Sequence, residues 1–137
     1  MDVVAIGELL IDFTFKSADG EGYPTMEAHP GGAPANFLAA LNRYGYQTAM
    51  LGKVGNDTFG RLLIATLQKA GIETRGMVVS DDVFTTLAFV TLDEAGDREF
   101  SFARKPEPLK MLSLKTPRKL RPKNITIIPV TIFTATL

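Results

Sequence analysis

Val3-Val4-Ala5-Ile6-Gly7-Glu8-Leu9-Leu10-Ile11-Asp12 opens the chain as an almost unbroken apolar run, β-branched at its start. Such a run reads as a strand buried on both faces, the kind found in parallel or mixed sheets covered by helices. Asp12 would then stand at the strand's C-terminal end, where open α/β sheets place their ligands.

The segments that follow extend this pattern. Phe13 to His29 alternates weakly around Gly20 and Gly22 and reads as a pair of short strands around a loop. Phe37, Ala40, Leu41 and Tyr44 recur at helical spacing, with Pro34 suited to the first turn and Gly45 to the end. Thr48 to Val54 reads as a second strand. Asp57 reads as the N-cap of a helix running to about Ala70, with Phe59, Leu62, Leu63, Thr66, Leu67 and Ala70 as its buried face and Gly71 as its stop. Met77-Val78-Val79 is a short strand. Thr85 to Leu92 and Arg98 to Phe102 form a hairpin around Asp93 to Asp97. Strand and helix alternating on short links predict a layered α/β fold.

Composition adds exclusions and one division. The 137 residues, 45% hydrophobic, suffice for a real core and predict one domain, or one domain with an appendage. Without cysteine there is no disulfide, thiol nucleophile or Cys-ligated metal, and a single histidine, His29, cannot build a multi-histidine site. The N-terminus lacks the basic region of a signal peptide, so a cytoplasmic location is expected. The net charge of zero argues against a nucleic-acid binder, yet residues 1–104 carry a net −6 and residues 105–137 a net +6. All 12 glycines precede residue 97, and five of the eight prolines follow residue 105. Residues 115–123 form a basic, proline-broken run. Ile125 to Leu137 is apolar and too short to cross a bilayer as a helix, so no membrane partner is expected; it reads as an edge strand or an exposed sticky segment.

Three places can carry chemistry. In Gly31-Gly32-Ala33-Pro34-Ala35-Asn36, two glycines before a helix let the backbone approach a ligand, and Asn36 can donate to and accept from a hydroxyl. The same residues also read as a tight turn with a capping Asn. Asp12 can accept hydrogen bonds from neighbouring sugar hydroxyls, or serve as a solvated turn acid. Gly52 to Gly60 resembles a phosphate loop but lacks the Gly-Lys-Ser/Thr ending, and Asp57 suits a cap better than a catalytic role. His29 reads as a surface residue. Phe100 and Phe102 mark one face of a strand, and Arg104, which closes it, can pair with a carboxylate or a hydroxyl-rich ligand.

At these residues the sequence resembles the N-terminal part of the ribokinase-like (PfkB-type) sugar kinases, and the fructokinases in particular. The matching pieces are Ala5-Ile6-Gly7-Glu8 with Asp12, Gly31 to Asn36, Gly45, Gly52 to Asp57 with Phe59-Gly60, and Asp93 to Phe102 with Arg104. Asn36, Gly45 and Gly55 fit the spacing of the family's first signature, whereas Leu38 stands where a small residue is usual. The resemblance implies a ribokinase-like α/β/α layered sheet over residues 1–104, with a small β lid from about 13–29 and 85–103. It further implies that Asp12, Gly31, Gly32 and Asn36 bind sugar hydroxyls, with Phe102 and Arg104 reaching the sugar from the lid. For the complete family fold it implies ATP as phosphoryl donor with Mg2+, at a site absent from this chain, a sugar such as fructose as substrate, and a homodimer through the lid. The family's second signature, a Gly-Ala-Gly-Asp-type segment supplying the anion hole and catalytic Asp, does not occur in these 137 residues. No catalytic, cofactor-binding or metal-binding residue is therefore assigned, and this chain alone is expected to be inactive, the alternative being a non-catalytic sugar-binding or lid-mediated interaction fragment. The loss of glycine, acids and resemblance after Lys105 reads as a shifted reading frame, an aberrant gene end or a disordered tail, the alternative being a genuine basic tail for anionic partners.

Overall fold

The N-terminal apolar run does not form one strand. In the structure, a computed structural model that describes residues 1–92 and 97–104, it divides into β1 (Val3–Ile6) and β2 (Leu10–Ala18), which lie in different sheets. Gly7 permits the break: a side chain there would overlap the Pro34 ring, so the chain passes under the next helix only as glycine. Hydrophobic continuity cannot distinguish one long buried strand from two short ones. Asp12 is accordingly the third residue of β2 and not the end of a strand.

The other elements are β3 (Pro24–Gly31), α1 (Ala33–Arg43), β4 (Thr48–Gly55), α2 (Thr58–Lys69), β5 (Glu73–Ser80), β6 (Thr86–Leu92) and β7 (Arg98–Ala103). A three-stranded sheet runs β1-β4-β5, all parallel, with Val3 opposite Thr48 and Ile6 opposite Leu51. Its central strand β4 is buried at every position. A four-stranded sheet runs β3-β2-β6-β7. It consists of two antiparallel hairpins joined by parallel pairing of β2 with β6, Leu10 opposite Thr86. The stretches 13–29 and 85–103 contribute most of this second sheet. The turn expected around 93–97 falls largely outside the described residues, as does the whole of 105–137 with its basic run and apolar end.

Both helices pack on one side of the three-stranded sheet. Leu38 of α1 and Leu63 and Leu67 of α2 join Ala5, Leu9, Ile11, Met50, Val54 and Ile72 in the main core. Ala49 and Leu51 form a smaller cluster with Met1, Val4 and Ile6, as alternation along a strand requires for residues on the other face. The buried stripe of α1 is Pro34, Ala35 and Leu38, which corrects the expected stripe: Phe37 is partly exposed and Tyr44 is 83% exposed. Pro34 must fill the notch over Gly7, and that contact fixes the helix's rotation. Leu38, the departure from the family's first signature, is fully buried. In α2, Leu62 faces solvent, while Asp57 caps the helix by accepting from the Gly60 N–H at 2.8 Å. Among the described residues no helix is long and apolar enough to cross a membrane.

Candidate functional site

The register of the four-stranded sheet aligns the expected site residues. His29, Asp12, Ala88 and Phe102 are direct neighbours across β3, β2, β6 and β7. Residues two apart on a strand share a face, so Leu10, its partner Gly31 and the next partner Thr86 form an adjacent row on the same side. The Asp12 carboxylate rests against the Cα of Gly31, in space that any larger residue there would occupy. Arg104, just past β7, lies over the Phe102 ring with its guanidinium carbon 5.2 Å from the ring centre. Phe100 stacks beside Phe102. Asp12, Gly31, Phe102 and Arg104 thus meet on one face.

The chain leaves this face directly into α1. Gly32 is the helix N-cap, with φ of 120° and no side-chain cap, and a Cβ on it would stand 2.6 Å from the Glu8 carbonyl oxygen. Asn36 sits in the first turn, exposed, with its backbone N–H donating to the Gly32 carbonyl at 3.1 Å. Among the described residues its side-chain amide has no hydrogen-bond partner, so both its donor and its acceptor face outward. The uncapped helix start and this amide border the Asp12 face.

Electrostatics distinguish the acids. Burial pushes the Asp12 carboxyl up, and the charge of His29 opposite only partly offsets it. His29 also lies 3.5 Å from Glu27, whose pair with Lys16 holds it below the usual carboxylate range. Asp57 behaves otherwise. Burial would raise it, but hydrogen bonds from the Thr85 N–H, the Gly60 N–H and the Thr85 hydroxyl outweigh that and lower it.

This assignment decides the phosphate-like loop. The Asp57 carboxylate already occupies the donors that an incoming phosphate would need at the start of α2 and would repel it. The start of α2 is thereby closed to a phosphate. Among the described residues no group of three or more His, Asp or Glu gathers to hold a metal.

Glu8 and Thr86 were not among the expected site residues. Glu8 is buried, accepts from the Thr86 hydroxyl at 2.7 Å and lies 3.7 Å from Arg104. Its signal was a lone charge inside an apolar run. Behind the shared face, a cavity of about 600 Å³ lies between the first turn of α2 and the ends of β6 and β7, touching Phe59, Leu87, Ala103 and Arg104. A second cavity, of about 640 Å³, is at the far end of the layer, lined by residues such as Tyr46, Gln47 and Glu73, and touches none of the expected site residues.

Comparison with known proteins identifies the family. Residues 1–112 match the model of the pfkB family carbohydrate kinases. The chain is 43% identical over 113 residues to Fructokinase-1 of Zea mays, covering 81% of this chain and 35% of that protein. Fructokinase-1 of Oryza sativa subsp. japonica gives the same identity and coverage. Among solved structures, the fructokinase from Xylella fastidiosa has a TM-score of 0.71 and 38% identity over 77% of this chain and 33% of that one. The form of that fructokinase with bound ATP has a TM-score of 0.69 and 37% identity, over 77% and 31%. The chain spans about a third of the length of the relatives it matches. Over that span, this chain belongs to the pfkB family of carbohydrate kinases.

Proposed function

We propose that this chain supplies the sugar-binding and lid portion of an ATP-dependent, Mg2+-requiring carbohydrate kinase of the fructokinase type. The observation that carries the reading is the gathering of Asp12, Gly31, Phe102 and Arg104 on one face beside the uncapped start of α1. In this reading the four-stranded sheet is the lid. Asp12 accepts from two sugar hydroxyls, and Asn36 donates to one and accepts from another. Gly31 and Gly32 let the sugar approach the backbone, Phe102 packs against its C–H face, and Arg104 donates to an oxygen. The relatives' names favour fructose as the sugar. Pairing of two copies through the lid belongs to the same reading, with Phe15, half exposed on the lid, as a contact.

Calorimetry with fructose, ribose and a nucleoside tests the sugar site. Fructose is expected to bind, and Asn36→Ala to weaken it at least about fivefold, the value of one or two lost hydrogen bonds. Equal affinity in the variant sinks the assignment. A second reading, a sugar-binding module without phosphoryl transfer, is favoured by the carboxylate that occupies the start of α2.

A further inference from the structure

Three chain crossings connect the two sheets, and all of them meet at Glu8. The first, from β1 to β2, contains Glu8 itself. The second, from β3 to α1, runs through Gly32, which is pressed against the Glu8 carbonyl. The third delivers Thr86 at the start of β6, and its hydroxyl donates to Glu8 Oε1 at 2.7 Å. The outer hairpin ends at Arg104, just past β7, and its Nη1 lies 3.7 Å from Glu8 Oε2. One carboxylate, buried at 9% exposure, therefore grips both the start and the end of the outer lid hairpin.

The chemistry suits a latch. A buried carboxylate without partners is costly, so its two oxygens resist release of either Thr86 or Arg104. A guanidinium has five N–H donors, and Glu8 faces one end of it. The rest of the group lies over Phe102 on the Asp12 face. A carboxylate behind Arg104 thus limits where its free donors point.

We propose that Glu8 is the hinge latch of the lid and a positioning residue for sugar binding, fixing the outer hairpin through Thr86 and aiming Arg104 at the sugar. The sugar part rests on the function proposed above; the latch does not.

The test uses the 137-residue chain carrying Glu8→Gln, which keeps an oxygen for Thr86 and removes the charge facing Arg104. Thr86→Val, which removes the hydroxyl and keeps the shape, is the second variant. Without sugar, both are expected to speed amide hydrogen exchange at Thr86, Leu87, Phe102 and Ala103 about fivefold while β4 and α2 stay unchanged. With fructose, Glu8→Gln is expected to weaken affinity about fivefold, and to cost nothing more once Arg104→Ala is present, a coupling that a merely structural role would not show. Unchanged exchange, or losses that add fully in the double variant, overturns the proposal. If the unmodified chain binds no fructose, the sugar reading falls, and the exchange rates alone decide for or against the latch.

Discussion

Asp57 holds Thr85 with both carboxylate oxygens: Oδ2 accepts from the backbone N–H at 2.8 Å and Oδ1 from the hydroxyl at 2.9 Å. Oδ1 also caps α2 through Gly60, and the Thr85 hydroxyl in turn accepts from the Gly55 N–H at 3.1 Å. One acid joins the start of α2, the end of β4 and the approach to β6. Asp57→Ala is expected to lower the free energy of unfolding by about 1–3 kcal/mol, measured by urea denaturation.

The same bonds set a pH dependence. The native Asp57 carboxyl lies below its ordinary value, so its stabilisation is complete above the unfolded pKa and is lost as pH falls through the lower native one. Unfolding free energy should decline on acidification through the carboxylate range, and Asp57→Ala should flatten the decline. Parallel slopes in both proteins would refute this.

Asp12 carries the opposite sign. Burial raises its pKa in the native state, so the native protein holds the proton more tightly than the unfolded chain does. Ionised Asp12 therefore opposes folding above its ordinary pKa, and the penalty fades as pH drops through that range. Asp12→Asn should leave stability at neutral pH equal or higher while weakening fructose binding at least about tenfold, the cost of losing a charged acceptor. Denaturation and calorimetry on one preparation check both halves.

The corrected face of α1 is open to a direct comparison. Leu38 is fully buried and Tyr44 is 83% exposed. Leu38→Ala should cost about 2–5 kcal/mol. Tyr44→Ala should stay within about 0.5 kcal/mol. The reverse ranking in thermal or urea unfolding would restore the stripe drawn from periodicity.

An ATP-coupled assay addresses phosphoryl transfer. With Asp57 seated on the start of α2 and no Gly-Ala-Gly-Asp-type segment in the sequence, the 137-residue chain is expected to show no turnover with fructose. Robust turnover would mean that the phosphates sit where no described residue suggests.

The order of elements from Thr48 onward was legible because each boundary carries its own chemistry. Asp57 caps α2, Gly71 follows it, and the β4 run is apolar but for Thr48 and Lys53. Asp12, Gly31, Gly32 and Asn36 were legible as a motif, since two glycines ahead of a helix and an acid in an apolar run are local signals. The division of Val3 to Asp12 was not, because what breaks the run is the ring of Pro34, distant in sequence from Gly7. The rotation of α1 was hidden for the same reason. Glu8 was visible as an isolated charge, but its partners Thr86 and Arg104 come from the far end of the described chain, and a parallel register brings them near.

That register also bears on the order in which the chain folds. β2 with β3, and β6 with β7, are hairpins between neighbouring segments and can zip locally within microseconds. The seam between them, Leu10 against Thr86, encloses α1, β4, α2 and β5. The entropy of closing so long a loop is recovered only once the intervening segments have condensed. The two halves of the sugar-facing surface can therefore exist early as separate hairpins, but they become one surface only after the helical layer has assembled. A nascent or destabilised chain would lose the join before it lost either half.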